Sequence, residues 1–152
     1  MNLQPEGWAA PVGYANGVAV QGRQVYIAGQ IGWNPATCQF ETDDLAEQVR
    51  QALENIVAVL KEAGAGSQHL VRLTWYIVDK AAYLAARREI GRAYRDVLGR
   101  HFPPMSLVVV AALLEDRALV EIEATAVVPN AEAAQPADCD AKPAGWGLQP
   151  GG

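Results

Sequence analysis

Val108-Val109-Val110-Ala111-Ala112-Leu113-Leu114 is an unbroken apolar run with no polar alternation. A run of that length, rich in β-branched residues, reads as a strand buried on both faces. It belongs to a segment from Ser106 to Leu113, which a turn at Glu115 to Ala118 joins to a second strand, Leu119 to Val128. Upstream, Leu70 to Val78 is a third strand, with Val71, Leu73, Trp75 and Ile77 on one side and Arg72, Thr74, Tyr76 and Val78 on the other. Tyr14 to Val20 and Gln24 to Ile31, with Gln21-Gly22-Arg23 between them, are expected as an N-terminal pair of strands.

Two helices fill the gaps. Asp43 to Ala63 carries Leu45, Val49, Leu53, Ile56 and Leu60 on one stripe, acidic residues at its positive end and Gly64 at its C-terminus. Asp79 caps a second helix with Tyr83, Arg87, Ile90, Tyr94 and Val97 on a common face and Gly99 at its end. The order is ββαβαββ, an α+β chain in which right-handed crossovers put both helices on one face of a mixed sheet. The other face is left bare. Strands apolar on both faces need cover on both, so further copies of the chain are expected to supply it.

Composition narrows the function. The chain has 152 residues, 51% hydrophobic and 19% charged, with a net charge of -5. That is enough apolar material for one domain, placed at residues 1–128, and the acidic balance disfavours nucleic-acid binding. Residues 129–152, rich in Ala, Pro and Gly, are expected to form a flexible tail, with Trp146 as an anchor should it dock. Met1 to Val12 lacks the marks of a signal peptide, and no apolar stretch nears the roughly 20 residues of a membrane helix. Cys38 and Cys139 read as free thiols, so a reducing cytoplasm is expected.

Few motifs carry chemistry. His69 and His101 have no partners at metal-ligand spacing and are expected in structural or surface roles. Gly29 ends a strand, where it serves either a bulge or a close ligand approach. Glu121 and Glu123 share one strand face, either as solvated charges or with Glu121 holding a water or taking a proton. Tyr14, Tyr76, Trp33 and Trp75 read as core, interface or the lining of an apolar pocket.

Taken in order, these segments resemble the Rid (YjgF/UK114-like) family. Ile27-Ala28-Gly29-Gln30-Ile31-Gly32-Trp33-Asn34-Pro35 is similar to its S-G-Q-[IV]-x-x-[DN]-P segment. Gln48 to Glu62 is similar to its first helix, Val71 to Asp79 to a middle strand, Pro103 to Val109 to its P-x-R-[ST]-x-V segment, and Val120 to Ala124 to its I-E-[IV]-E-A ending. The resemblance spans roughly Val12 to Val128. It implies a fold like bacterial chorismate mutase, a homotrimer with small-molecule clefts between subunits, and hydrolysis of reactive enamines and imines without cofactor or metal.

It further implies that Glu121 positions the water. Tyr14, Gly29, Gln30, Ile31, Trp33, Met105, Ser106 and Leu107 would contact substrate. The departure is Met105, where the family's deaminases carry an arginine that clamps a carboxylate. Methionine offers neither charge nor donor. Arg72 and Arg117 are candidate substitutes, and Gly91 stands where an asparagine is common. The expected substrate is therefore a less acidic or more apolar imine or enamine. The competing expectation is a metabolite-binding or regulatory protein without catalysis. Ribonuclease activity, attributed to some relatives, comes third because of the acidic charge and the lack of a histidine pair.

Overall fold

The computed structural model describes residues 1–130. The expected tail beyond Asn130, with Cys139 and Trp146, lies outside the described residues. The elements are β1 (Arg23–Ile31), α1 (Leu45–Glu62), a 3-10 turn (Ser67–His69), β2 (Leu70–Ile77), α2 (Lys80–Ala85), α3 (Arg87–Leu98), β3 (Met105–Val109) and β4 (Val120–Val128). They form a four-stranded sheet in the order β1-β4-β2-β3. β4 runs antiparallel to both β1 and β2, and β3 runs parallel to β2, so the sheet is mixed, as expected.

Alternation along the strands decides which face is covered. Val120, Ile122, Ala124 and Ala126 of β4 and Leu73, Trp75 and Ile77 of β2 are buried against the helical layer. On α1 the expected stripe is the core face: Val49, Leu53, Ile56 and Leu60 are fully buried. The Asp44 carboxylate caps its start by accepting the Glu47 N–H at 2.9 Å. From α3, Ile90, Ala93, Tyr94 and Leu98 are buried, and most of these join the same core.

Three expectations need correction. Tyr14 to Val20 is not a strand of the sheet. Val18 makes a single bridge to Asn2, and Leu3 and Ala19 complete a loose ladder with Gly17 and Met1. Gly13, Asn16 and Gly17 interrupt the β-formers there, and no residue of the segment is buried, so nothing repays the cost of ordering it as a central strand. The second helix is broken at Ala86 into α2 and α3.

The third correction concerns the opening heptapeptide. β3 ends at Val109, and Leu114 is 95% exposed. The bare face of the sheet is mixed rather than apolar: beside Tyr26, Tyr76 and Val108 it presents Arg72, Thr74, Ser106, Glu121, Glu123 and Thr125. Only Val108 of the heptapeptide adds an apolar side chain to that face within a strand.

Two buried polar side chains lock the loops onto this frame. Gln48, fully buried, donates to the carbonyls of Thr42 and Arg117 at 3.0 Å each and accepts the Leu119 N–H at 2.9 Å. It ties the entrance of α1 to the entrance of β4. Asn55 donates to the carbonyls of Ile31 and Trp33 at 3.3 and 3.1 Å, pinning the chain as it leaves β1.

Candidate functional site

Most of the expected site residues fall into two groups on opposite faces of the sheet. The first gathers where β1 and β4 meet. The register of that pair shifts between Ile27 and Gln30, so Ala28 and Gly29 form a bulge. Ile31 lies opposite Glu121, whose carboxylate packs on Gly29. A Cβ at Gly29 would occupy the place of the Glu121 carboxylate, so the bulge and the close approach are one feature. Glu121 is half-buried. Among the described residues its side chain has no hydrogen bond or ion pair, whereas neighbouring Glu123 accepts the Tyr76 hydroxyl at 2.8 Å. That bond, chiefly, pushes the Tyr76 phenol above its ordinary pKa. Gln30 follows Gly29, its side chain donating weakly to the Ala28 carbonyl at 3.3 Å.

The second group lines a cleft of about 680 Å³ on the helical side, at the β3 edge. Tyr14, Trp75, Tyr94, Phe102, Met105 and Leu107 form much of its wall. Trp75, Tyr94 and Phe102 stack in series, with centroids 6.4 and 5.3 Å apart. The Tyr94 hydroxyl donates to the His101 carbonyl at 2.6 Å, and burial pushes its pKa up. The Trp75 indole N–H is buried without an acceptor. Arg87 and Arg95 of α3 also border the cleft, as does Gly91.

The remaining candidates join neither group as expected. Ser106 lies on the bare face opposite Thr74. Trp33 packs against Phe40 at 6.1 Å and does not line the aromatic cleft. Arg117 is held by Asp43 at 2.8 Å, by the Phe40 carbonyl and over the Phe40 ring. Arg72 is on the bare face. Within one chain neither can replace a cation at position 105. His69 accepts the Gly66 N–H and His101 bonds the Leu70 carbonyl, so both have structural partners.

Met105 pairs with Leu73 on the covered side, while Glu121 projects from the bare side. β2 lies between their strands, which sets them about 10 Å apart laterally at ordinary strand spacing. Within one chain the carboxylate and the cleft do not meet.

The chain thus combines a mixed α+β sheet, a bulged glycine under an unpaired strand glutamate, and an edge cleft with an aromatic wall. Residues 7–128 match the family described as Endoribonuclease L-PSP, and the chain belongs to this family, known also as Rid or YjgF/UK114. A RutC family protein of Haemophilus influenzae is 39% identical over 106 residues, covering 70% of this chain and 80% of the relative. The human 2-iminobutanoate/2-iminopropanoate deaminase is 32% identical over 114 residues, covering 75% and 79%. Among solved structures, the Rid-family protein YyfB of Yersinia pestis superposes with a TM-score of 0.74 at 34% identity, covering 84% of this chain and 98% of that one. TdcF of E. coli, solved with bound serine, gives 0.61 at 32% identity, covering 80% and 91%. No helix among the described residues is long and apolar enough to cross a membrane.

Proposed function

We propose that this protein is a cytoplasmic hydrolase of reactive imines and enamines, acting in clefts shared between copies of the chain, three in a closed ring. The observation that carries the reading is the placement of Glu121. Its carboxylate is unpaired, backed by a glycine that makes room for it, and aimed away from the only cleft with a stacked aromatic wall among the described residues. A second copy brings a glutamate to that cleft without any change in the fold. The mixed polar and aromatic bare face suits association with like chains while leaving each chain soluble. Relatives that are imine deaminases, and one solved with bound serine, support a ligand of amino-acid size.

The chemistry asks little of the protein. Water adds to the imine carbon, with Glu121 taking one of its protons. Glu121 passes that proton to the imine nitrogen, giving a carbinolamine, and transfer of the remaining hydroxyl proton to the nitrogen then expels ammonia and leaves a carbonyl compound. The cleft holds the organic body and the Gly29–Ile31 backbone borders the reacting end.

Imines generated in situ by an amino-acid oxidase, followed by ammonia release, test the reading. Glu121→Gln keeps the shape and removes the base, and the rate above the spontaneous reaction should fall about 100-fold or more. Hydrolysis by Glu121→Gln at the unmodified rate would sink the mechanism. The second reading, a metabolite binder without turnover, is favoured by Met105, which leaves the strand without its clamp. It predicts a retained ligand and ammonia release from imines no faster than the spontaneous reaction.

A further inference from the structure

We infer that the cleft recognises a carboxylate on an apolar body through Arg95, assisted by Arg87, so that the cation missing from the strand at Met105 is supplied by helix α3. The inference rests on the cleft being the ligand site of the proposed function. Arg87, Gly91 and Arg95 are spaced four apart and share one face of α3, the face bordering the cleft. Helical side chains lean toward the N-terminus, which lays Arg95 back across the turn at residue 91. A Cβ at Gly91 would stand 3.3 Å from Arg95 Nη1, the only atom it would meet. Glycine within a helix costs roughly 0.5–1 kcal/mol against alanine. Here it clears a path for a guanidinium beside the cleft.

Neither arginine has a side-chain hydrogen bond or ion pair among the described residues, in contrast to Arg50 with Asp96 and Arg117 with Asp43. Planar guanidinium pairs well with carboxylate. The rest of the lining, Tyr14, Phe102, Met105 and Leu107 among it, is apolar or aromatic. The two departures at Met105 and Gly91 are thus one exchange: bulk-tolerant methionine on the strand, charge on the helix. The substrate class is an imine of a large apolar amino acid, aromatic or branched, rather than a less acidic compound.

The probes are 3-phenylpropionate and its neutral amide, titrated calorimetrically into the assembled full-length protein. The acid should bind at least about tenfold more tightly than the amide. Arg95→Gln should remove most of that preference and leave amide binding unchanged, Arg95→Lys should keep part of it, and Gly91→Ala should weaken the acid alone. Arg88→Gln, on α3 outside the cleft lining, should change nothing. Failure of the acid to bind at millimolar concentration, equal affinity for acid and amide, or equal loss of both in Arg95→Gln overturns the inference. An Arg95-dependent acid preference with imine hydrolysis indifferent to Glu121→Gln keeps the inference and removes the proposed catalysis. Glu121-dependent hydrolysis indifferent to the carboxylate does the reverse.

Discussion

At the scale of single residues, the fold turns on a few close approaches. Gly29→Ala puts a methyl group where the Glu121 carboxylate lies, so one of the two must move. Imine hydrolysis should fall by about tenfold or more, since misplacing a reacting group by about 1 Å is costly, while thermal stability changes little. Steady-state rates beside melting curves check both halves. Gln48 presents the opposite case, a buried amide remote from chemistry. Gln48→Leu leaves the Leu119 N–H and two carbonyls without partners, and urea unfolding should show a loss of about 2–3 kcal/mol. Glycine and glutamate at these positions were legible from motif and strand parity. The role of Gln48 was not, because a glutamine on an amphipathic helix looks like surface until Arg117 and Leu119, 69 and 71 residues further along, are folded beside it.

At the scale of elements, α3 and β2 meet through Tyr94, which packs on Trp75 and Phe102 and bonds the His101 carbonyl. Burial raises its pKa, so the folded state holds its proton more tightly than the unfolded chain does. The resulting stability is fully present below the unfolded tyrosine value near 10 and is lost as pH rises above it. Denaturant midpoints should therefore decline above pH 10. Tyr94→Phe should flatten that decline and cost about 1 kcal/mol at pH 7 through the orphaned carbonyl. Urea titrations at pH 7 and pH 10.5 measure both effects. Helix α1 was readable from its stripe and caps. The break at Ala86 and the absence of a strand at Tyr14 to Val20 were not, because both depend on what the neighbouring surface offers to bury.

At the scale of the whole molecule, the proposed function joins Glu121 of one copy to the cleft of another. Mixing Glu121→Gln with a cleft variant such as Leu107→Arg, after dissociation and reassembly, should restore part of the activity that each lacks alone. Sedimentation should show an assembly larger than one chain. Persistent inactivity in mixed assemblies, or a well-behaved monomer that hydrolyses imines, contradicts the shared cleft. The apolar heptapeptide does not by itself demand association, since most of that run lies beyond β3. What replaces it is the placement of chemistry on two faces.

The amino-acid sequence on its own determined the α+β class, the two helical segments and the four strands, with β3 overextended at its end, and it singled out Gly29 and Glu121 separately as candidates. These follow from periodicity, caps and local motifs, which act over a few neighbouring residues. Tertiary structure alone decided which face each strand shows, that Met105 and Glu121 point apart, and that Arg95 stands free over Gly91 at the cleft. Those outcomes depend on strand register and side-chain direction, which contacts distant along the chain impose.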